Sequence, residues 1–143
     1  MMSMTEQTTI PVGILLLTHG RLGDALVECA RHVLGGKLPD QLATLSAGQD
    51  EPVDEVEARA RHLLANLDQG GGVLVLTDLL GATPARVAAR LIEPGRVEAL
   101  SGVSLPMVLR AINYRNRLLG ALVKKALLAG TECTVAMTAA DAG

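Results

Sequence analysis

The chain of 143 residues has no Trp, no Phe and a single Tyr, Tyr114. A flavin or a run of nucleic-acid bases needs aromatic platforms to stack on, and almost none exist here. The core must instead be built from Leu, Val, Ile, Ala and Met. Cysteine is equally scarce: Cys29 and Cys133 are isolated. Without CxxC spacing they make neither a disulfide framework nor a zinc site, and Cys29, among apolar helix positions, reads as a small core residue. There is no basic excess, since the formal net charge is −2, so nothing favours a nucleic-acid partner. No apolar run approaches the length of a membrane span. The first residues, MMSMTEQTT, lack the basic region and apolar stretch of a leader. The expected compartment is therefore the cytoplasm. No GxxxxGK[ST] phosphate loop or dinucleotide fingerprint occurs.

What the chain does have is a hydrophobic content of 49% against 20% charged residues, which calls for a folded globular domain. One domain over residues 1–143 is expected, with residues 1–10 flexible. Two short apolar runs, Val12 to Leu17 and Val73 to Leu76, do not alternate, as befits strands buried on both faces of a parallel sheet. Weaker strand candidates are Leu42 to Leu45, Val97 to Leu100 and, weakest, Cys133 to Met137. Apolar stripes at helical spacing fall between them: Leu22 to Val33, Val53 to Leu67, Leu105 to Ile112 and Leu118 to Ala129, the last with Gly130 as its C-cap. A further helix is expected to start with Thr83 as N-cap and Pro84 as first helical residue, and to end before Glu93-Pro94-Gly95. Alternating strands and helices imply an α/β three-layer sandwich around a mainly parallel sheet. Right-handed crossovers put every strand's C-terminal end on one edge, where ligand chemistry collects.

At that edge the first strong strand leads into Thr18-His19-Gly20 and the third strand into Asp78. If the two strands are neighbours, His19 and Asp78 can meet. A carboxylate that accepts from Nδ1–H fixes the imidazole tautomer and leaves Nε2 nucleophilic. It also stabilises the charge that develops on the ring when Nε2 attacks. Helix starts near Gly20 and Thr83 aim backbone N–H groups at the same edge, so the electrophile should be an anion. Gly20, Gly23 and Gly81 allow close backbone approach, and Thr83 offers a hydroxyl. A phosphoryl group satisfies all of these demands.

Blander readings suit the other candidates. His32 and His62 lie on helices beside Arg31 and Arg61, as solvated faces would. Arg21, next to His19, could hold an anion or be an ordinary loop arginine. A metal site would have only His19 and Asp78 as ligands, too few for binding. Ser101 and Ser104 lack a nucleophile elbow. Neither a metal nor a cofactor is expected.

Three segments, taken together, resemble a known family: ILLLTHGRLGDAL, VLVLTDLLGATPARVA and LSGVSLPMVLRA. In this order and spacing, from about Val12 to Ala129, they are similar to the IIA component (EIIA) of the mannose/fructose-type branch of the bacterial phosphoenolpyruvate-dependent sugar phosphotransferase system. The resemblance implies a sheet of order 2-1-3-4, with a C-terminal edge strand that is often added to a partner subunit in a homodimer. It implies phosphorylation at His19, orientation of the ring by Asp78, and phosphate contacts from Gly20, Gly81 and Thr83. The donor it implies is the small phosphocarrier HPr and the acceptor a IIB protein, with the membrane reached only through a IIC/IID permease. The chain departs from the family pattern at Ala82 (usually Gly), Leu80 (often aromatic) and Ser104 (usually Asn). A phosphocarrier of dihydroxyacetone kinase also uses a histidine after its first strand, but lacks the Gly-x-Thr-Pro turn. A phosphorylation-state sensor without a transport role, and a flavodoxin-like binding module, are the remaining alternatives.

Overall fold

A computed structural model describes residues 10–143. The expected flexible segment lies, apart from Ile10, outside the described residues. Four strands, β1 (Gly13–His19), β2 (Leu42–Ala47), β3 (Val73–Thr77) and β4 (Val97–Ser101), form one sheet. All pairings are parallel and the order is β2-β1-β3-β4. The helices α1 (Leu22–Val33), α2 (Val53–Leu67), α3 (Thr83–Leu91), α4 (Leu105–Asn113) and α5 (Leu119–Glu132) cover both faces.

The non-alternating runs are explained by this layering. Ile14, Leu16, Leu74 and Leu76 pack with Ala30 of α1, Val108 and Ile112 of α4, and Leu122 and Ala126 of α5. Their sequence neighbours Leu15, Leu17, Val73 and Val75 point the other way, onto Val56, Ala60 and Leu64 of α2 and Val87 and Ala88 of α3. All eight strand residues are fully buried. Each such side chain removed from water contributes roughly 1.5–3 kcal/mol, so the two central strands anchor the domain. Gly13 starts β1 where there is no room for a side chain: a Cβ there would sit 2.6 Å from the Leu67 carbonyl oxygen.

Several expectations need correction. β1 runs past its apolar stretch and ends on His19 itself, which pairs in register with Ala47. The cap of α3 is Ala82, in an extended conformation, so Thr83 is the first helical residue and its hydroxyl caps nothing. Helix α5 continues through Gly130 to Glu132, with Cys133 as its cap. No strand forms over Cys133 to Met137; Val135 and Met137 are exposed and a 3-10 turn, Ala139–Ala142, follows. A strand exists only through its pairing, and among the described residues this segment has no partner strand. Cys29 is exposed rather than part of the core. It sits one residue round α1 from Ala30, which takes the buried position.

Because β1 sends its chain toward β2 on one side while β3 lies on its other side, a crevice opens above the C-terminal ends of β1 and β3. In sheets of this kind such a switch point holds the ligand chemistry.

Candidate functional site

His19 closes β1 in that crevice, and Asp78 follows β3 directly. The Asp78 carboxylate accepts from the His19 backbone N–H at 3.0 Å and pairs with the ring Nδ1 at 2.9 Å, both through Oδ2. Its other oxygen accepts from the Leu79 N–H at 3.0 Å. The two side chains differ sharply in exposure, 51% for His19 against 13% for Asp78. Burial pushes the Asp78 carboxyl up, but hydrogen bonds from the His19 backbone and ring outweigh it and hold it below the ordinary carboxylate range. Asp78 is therefore ionised near neutrality and can only accept. The proton between the two residues belongs to His19 Nδ1, which leaves Nε2 of a neutral ring with its lone pair at the exposed rim.

The turn beyond His19 is held by hydroxyl groups. Thr18 is one of only two buried polar residues among those described. Its Oγ1 accepts from the Gly23 N–H at 2.9 Å and donates to the His19 carbonyl at 3.3 Å. Gly23 fits that arrangement because a Cβ there would come within 3.1 Å of the same oxygen. Gly20 takes the left-handed conformation at φ +50°, and its carbonyl accepts from Ser46 Oγ at the end of β2. Gly81 is also left-handed, at φ +89°, in the turn joining Asp78 to α3. Ala82, at φ −97°, needs no such freedom, so its methyl is accommodated. Ser104 caps α4, its Oγ accepting from the Met107 N–H at 3.3 Å.

A cleft of about 620 Å³ opens in front of His19. His19, Gly20 and Arg21 line one side, the loop from Ala47 to Asp50 the other, and Thr83 joins them from the start of α3. Gly81 does not line it. The N-cap residues of α1 and α3, Arg21 and Ala82, make no side-chain cap, and of the first-turn N–H groups of α1 the Thr18 hydroxyl takes that of Gly23. The positive ends of both helices thus face this edge of the sheet. Leu22, Leu79 and Leu80 surround the site and are exposed, Leu80 to 80%. His32 and His62 are exposed on α1 and α2, away from the cleft.

Reading the sequence alone missed the wall formed by the β2–α2 loop. Asp50 there is left-handed at φ +61°. Glu51 braces the loop by accepting from the Gly48 N–H at 2.9 Å and from Arg59 at 2.5 and 2.6 Å. The available signal was Gly48 directly after a strand whose C-terminal end shares the edge with His19. Among the described residues, no three His, Cys, Asp or Glu side chains group to hold a metal ion. No helix among the described residues is long and apolar enough to cross a membrane.

The switch point thus holds an imidazole paired with a carboxylate, at the mouth of a cleft beside the starts of two helices. The chain belongs to the family described as PTS system fructose IIA component, whose model matches residues 13–127. It is thus an EIIA component of the phosphotransferase system. It is 26% identical over 108 residues to the PTS system fructose-specific EIIA component of Bacillus subtilis, covering 75% of this chain and 73% of that one. To the PTS system mannose-specific EIIAB component of Escherichia coli K12 it is 27% identical over 106 residues, 73% of this chain but only 32% of the relative. The chain therefore spans about a third of that longer protein. The mannose/sorbose-specific IIA subunit of Enterococcus faecalis shares the fold, with a TM-score of 0.79 at 22% identity over 90% of this chain and 96% of that one. The IIA protein associated with the fucose utilization operon of Streptococcus pneumoniae superposes with a TM-score of 0.70 at 27% identity, over 84% and 91% of the two chains.

Proposed function

We propose that His19 Nε2 accepts a phosphoryl group from phospho-HPr and passes it to a IIB component. The observation that carries this reading is the Nδ1–Asp78 pair, which places the lone pair of the neutral imidazole on Nε2, in a side chain exposed at the rim. In the transfer, the donor's phosphorus–nitrogen bond breaks and its electron pair stays on the donor ring. That ring leaves as neutral imidazole, its other nitrogen holding a proton. The new bond forms between phosphorus and His19 Nε2. The Nδ1 proton remains in the bond to Asp78, whose negative charge offsets the positive charge gained by the ring. Helix N-terminal amides and the Thr83 hydroxyl serve the phosphoryl oxygens, with Gly20 and Gly81 giving the backbone the turns it needs. Transfer onward to IIB reverses these events.

Protein-to-protein transfer also needs a rim on which a partner can seat, and the exposed Leu22, Leu79 and Leu80 suit that use. On this reading residues 1–143 act as one IIA-type domain in the cytoplasm, in contact with the membrane only through a IIC/IID permease. The exposed Leu127, Leu128, Val135 and Met137 near the C-terminus favour a homodimer. The deciding experiment is incubation with phosphoenolpyruvate, enzyme I and HPr. The expected result is an acid-labile phosphohistidine that is absent from His19→Ala. Label persisting in that variant would refute His19 as the acceptor.

A further inference from the structure

We infer that Arg21 is a phosphoryl-binding residue of this site, holding the non-bridging oxygens of the group transferred to His19; this rests on the phosphotransfer reading above. Three independent observations converge on it. Arg21 is the one arginine that lines the cleft in front of His19. Its guanidinium has no ion pair among the described residues, although Asp50 lines the same cleft. Elsewhere Arg31, Arg59, Arg61, Arg90, Arg96 and Arg110 all sit within 4 Å of a carboxylate. Arg21 shares the lack of a carboxylate partner with Arg86 and Arg115 among the described residues, but of these three only Arg21 lines the cleft in front of His19.

The third observation concerns the helix. Arg21 is the N-cap of α1 and its side chain caps nothing. A cation at a helix N-terminus opposes the macrodipole, whose positive end lies there. Arg31 and His32, in the last turn of the same helix, occupy the favourable end. Local stability therefore argues against arginine at position 21, and such conflicts concentrate at functional positions. A dianionic phosphoryl group on Nε2 would reverse the sign of the local field. The guanidinium and the helix terminus would then both face a negative charge rather than each other. Guanidinium is also suited to the task by its planar fork of donors, which matches two phosphoryl oxygens at once.

The test uses the intact protein with Arg21→Gln and Arg21→Lys and two donors. Phosphoramidate, a small donor that loses ammonia, reports the chemistry at His19 without a docking surface. Phospho-HPr reports both chemistry and docking. With phosphoramidate, R21Q should be labelled about tenfold more slowly or worse, and R21K should fall between it and wild type. The Tm of R21Q should match or exceed that of wild type, because a cation leaves the helix N-terminus. Labelling of R21Q by phosphoramidate at the wild-type rate would overturn the inference. So would a defect confined to the KM for phospho-HPr, which would make Arg21 a docking residue. If His19 is labelled by phosphoramidate in an Arg21-dependent way but not by phospho-HPr, Arg21 keeps its role and the proposed donor falls. No label at His19 from either donor would overturn both.

Discussion

The Asp78 carboxylate takes two hydrogen bonds through one oxygen, from the backbone N–H and the imidazole Nδ1 of His19, 59 residues earlier in the chain. One contact fixes where the end of β1 lies relative to β3, and the other fixes the ring and its tautomer. The same carboxylate thus joins the strands and sets the nucleophile.

Asp78→Asn separates these roles. The amide oxygen can still accept from the backbone, so the fold should survive, with a modest loss of stability at neutral pH. The negative charge that favours the phosphorylated ring is lost, and the amide NH₂ can instead donate to Nδ1, leaving the proton on Nε2. Phosphorylation of His19 should slow by about two to four orders of magnitude. Rapid-quench labelling checks this, and an unchanged rate would remove Asp78 from its role.

The same pair predicts a pH dependence of stability. The folded-state carboxyl of Asp78 titrates below its ordinary value. Its contribution is therefore fully present above the unfolded pKa of about 3.9 and is lost as pH falls through the lower folded value. Urea unfolding of wild type and D78N should show wild type more stable at neutral pH, with the gap closing below about pH 4. A gap that widens toward low pH would contradict the assignment.

Thr18→Val keeps the volume of a buried side chain but removes the oxygen that accepts from the Gly23 N–H. Leaving that donor unpaired should cost about 1–3 kcal/mol and loosen the turn that carries His19. Thr18→Ser should recover most of the loss. Equal melting temperatures for all three proteins would mean that water replaces the hydroxyl.

Two glycine substitutions should fail for different reasons. Gly20→Ala meets no neighbour but must hold φ near +50°, a backbone cost of about 1 kcal/mol, and it should slow phosphorylation because it deforms the His19 turn. Gly13→Ala meets backbone and side chain of Leu67 at 2.6–3.0 Å and should lose about 1–3 kcal/mol through strain between β1 and α2. It lies at the far end of β1, so at a temperature where the variant is folded its labelling rate should match wild type. Thermal melts beside labelling kinetics separate the two cases.

Much of this protein is written locally. The apolar runs before Thr18 and from Val73 to Leu76 are buried on both faces because no polar residue interrupts them, and periodicity placed each helix to within a few residues. His19 and Asp78 stood out because each follows such a run. Composition and spacing, however, do not say which strands are neighbours; the 2-1-3-4 order came from the family resemblance, and it is this order that brings residues 19 and 78 together. Tertiary structure alone decided the rest. The Ala47 to Asp50 wall faces His19 because β2 lies beside β1. Arg21 has no ion pair among the described residues because of which carboxylates folding brings within reach. Cys133 to Met137 has strand-forming residues but no strand, since a hydrogen-bonded ladder needs a partner that local sequence cannot supply. Burial follows from each segment's own pattern, whereas pairing depends on residues far apart in the chain.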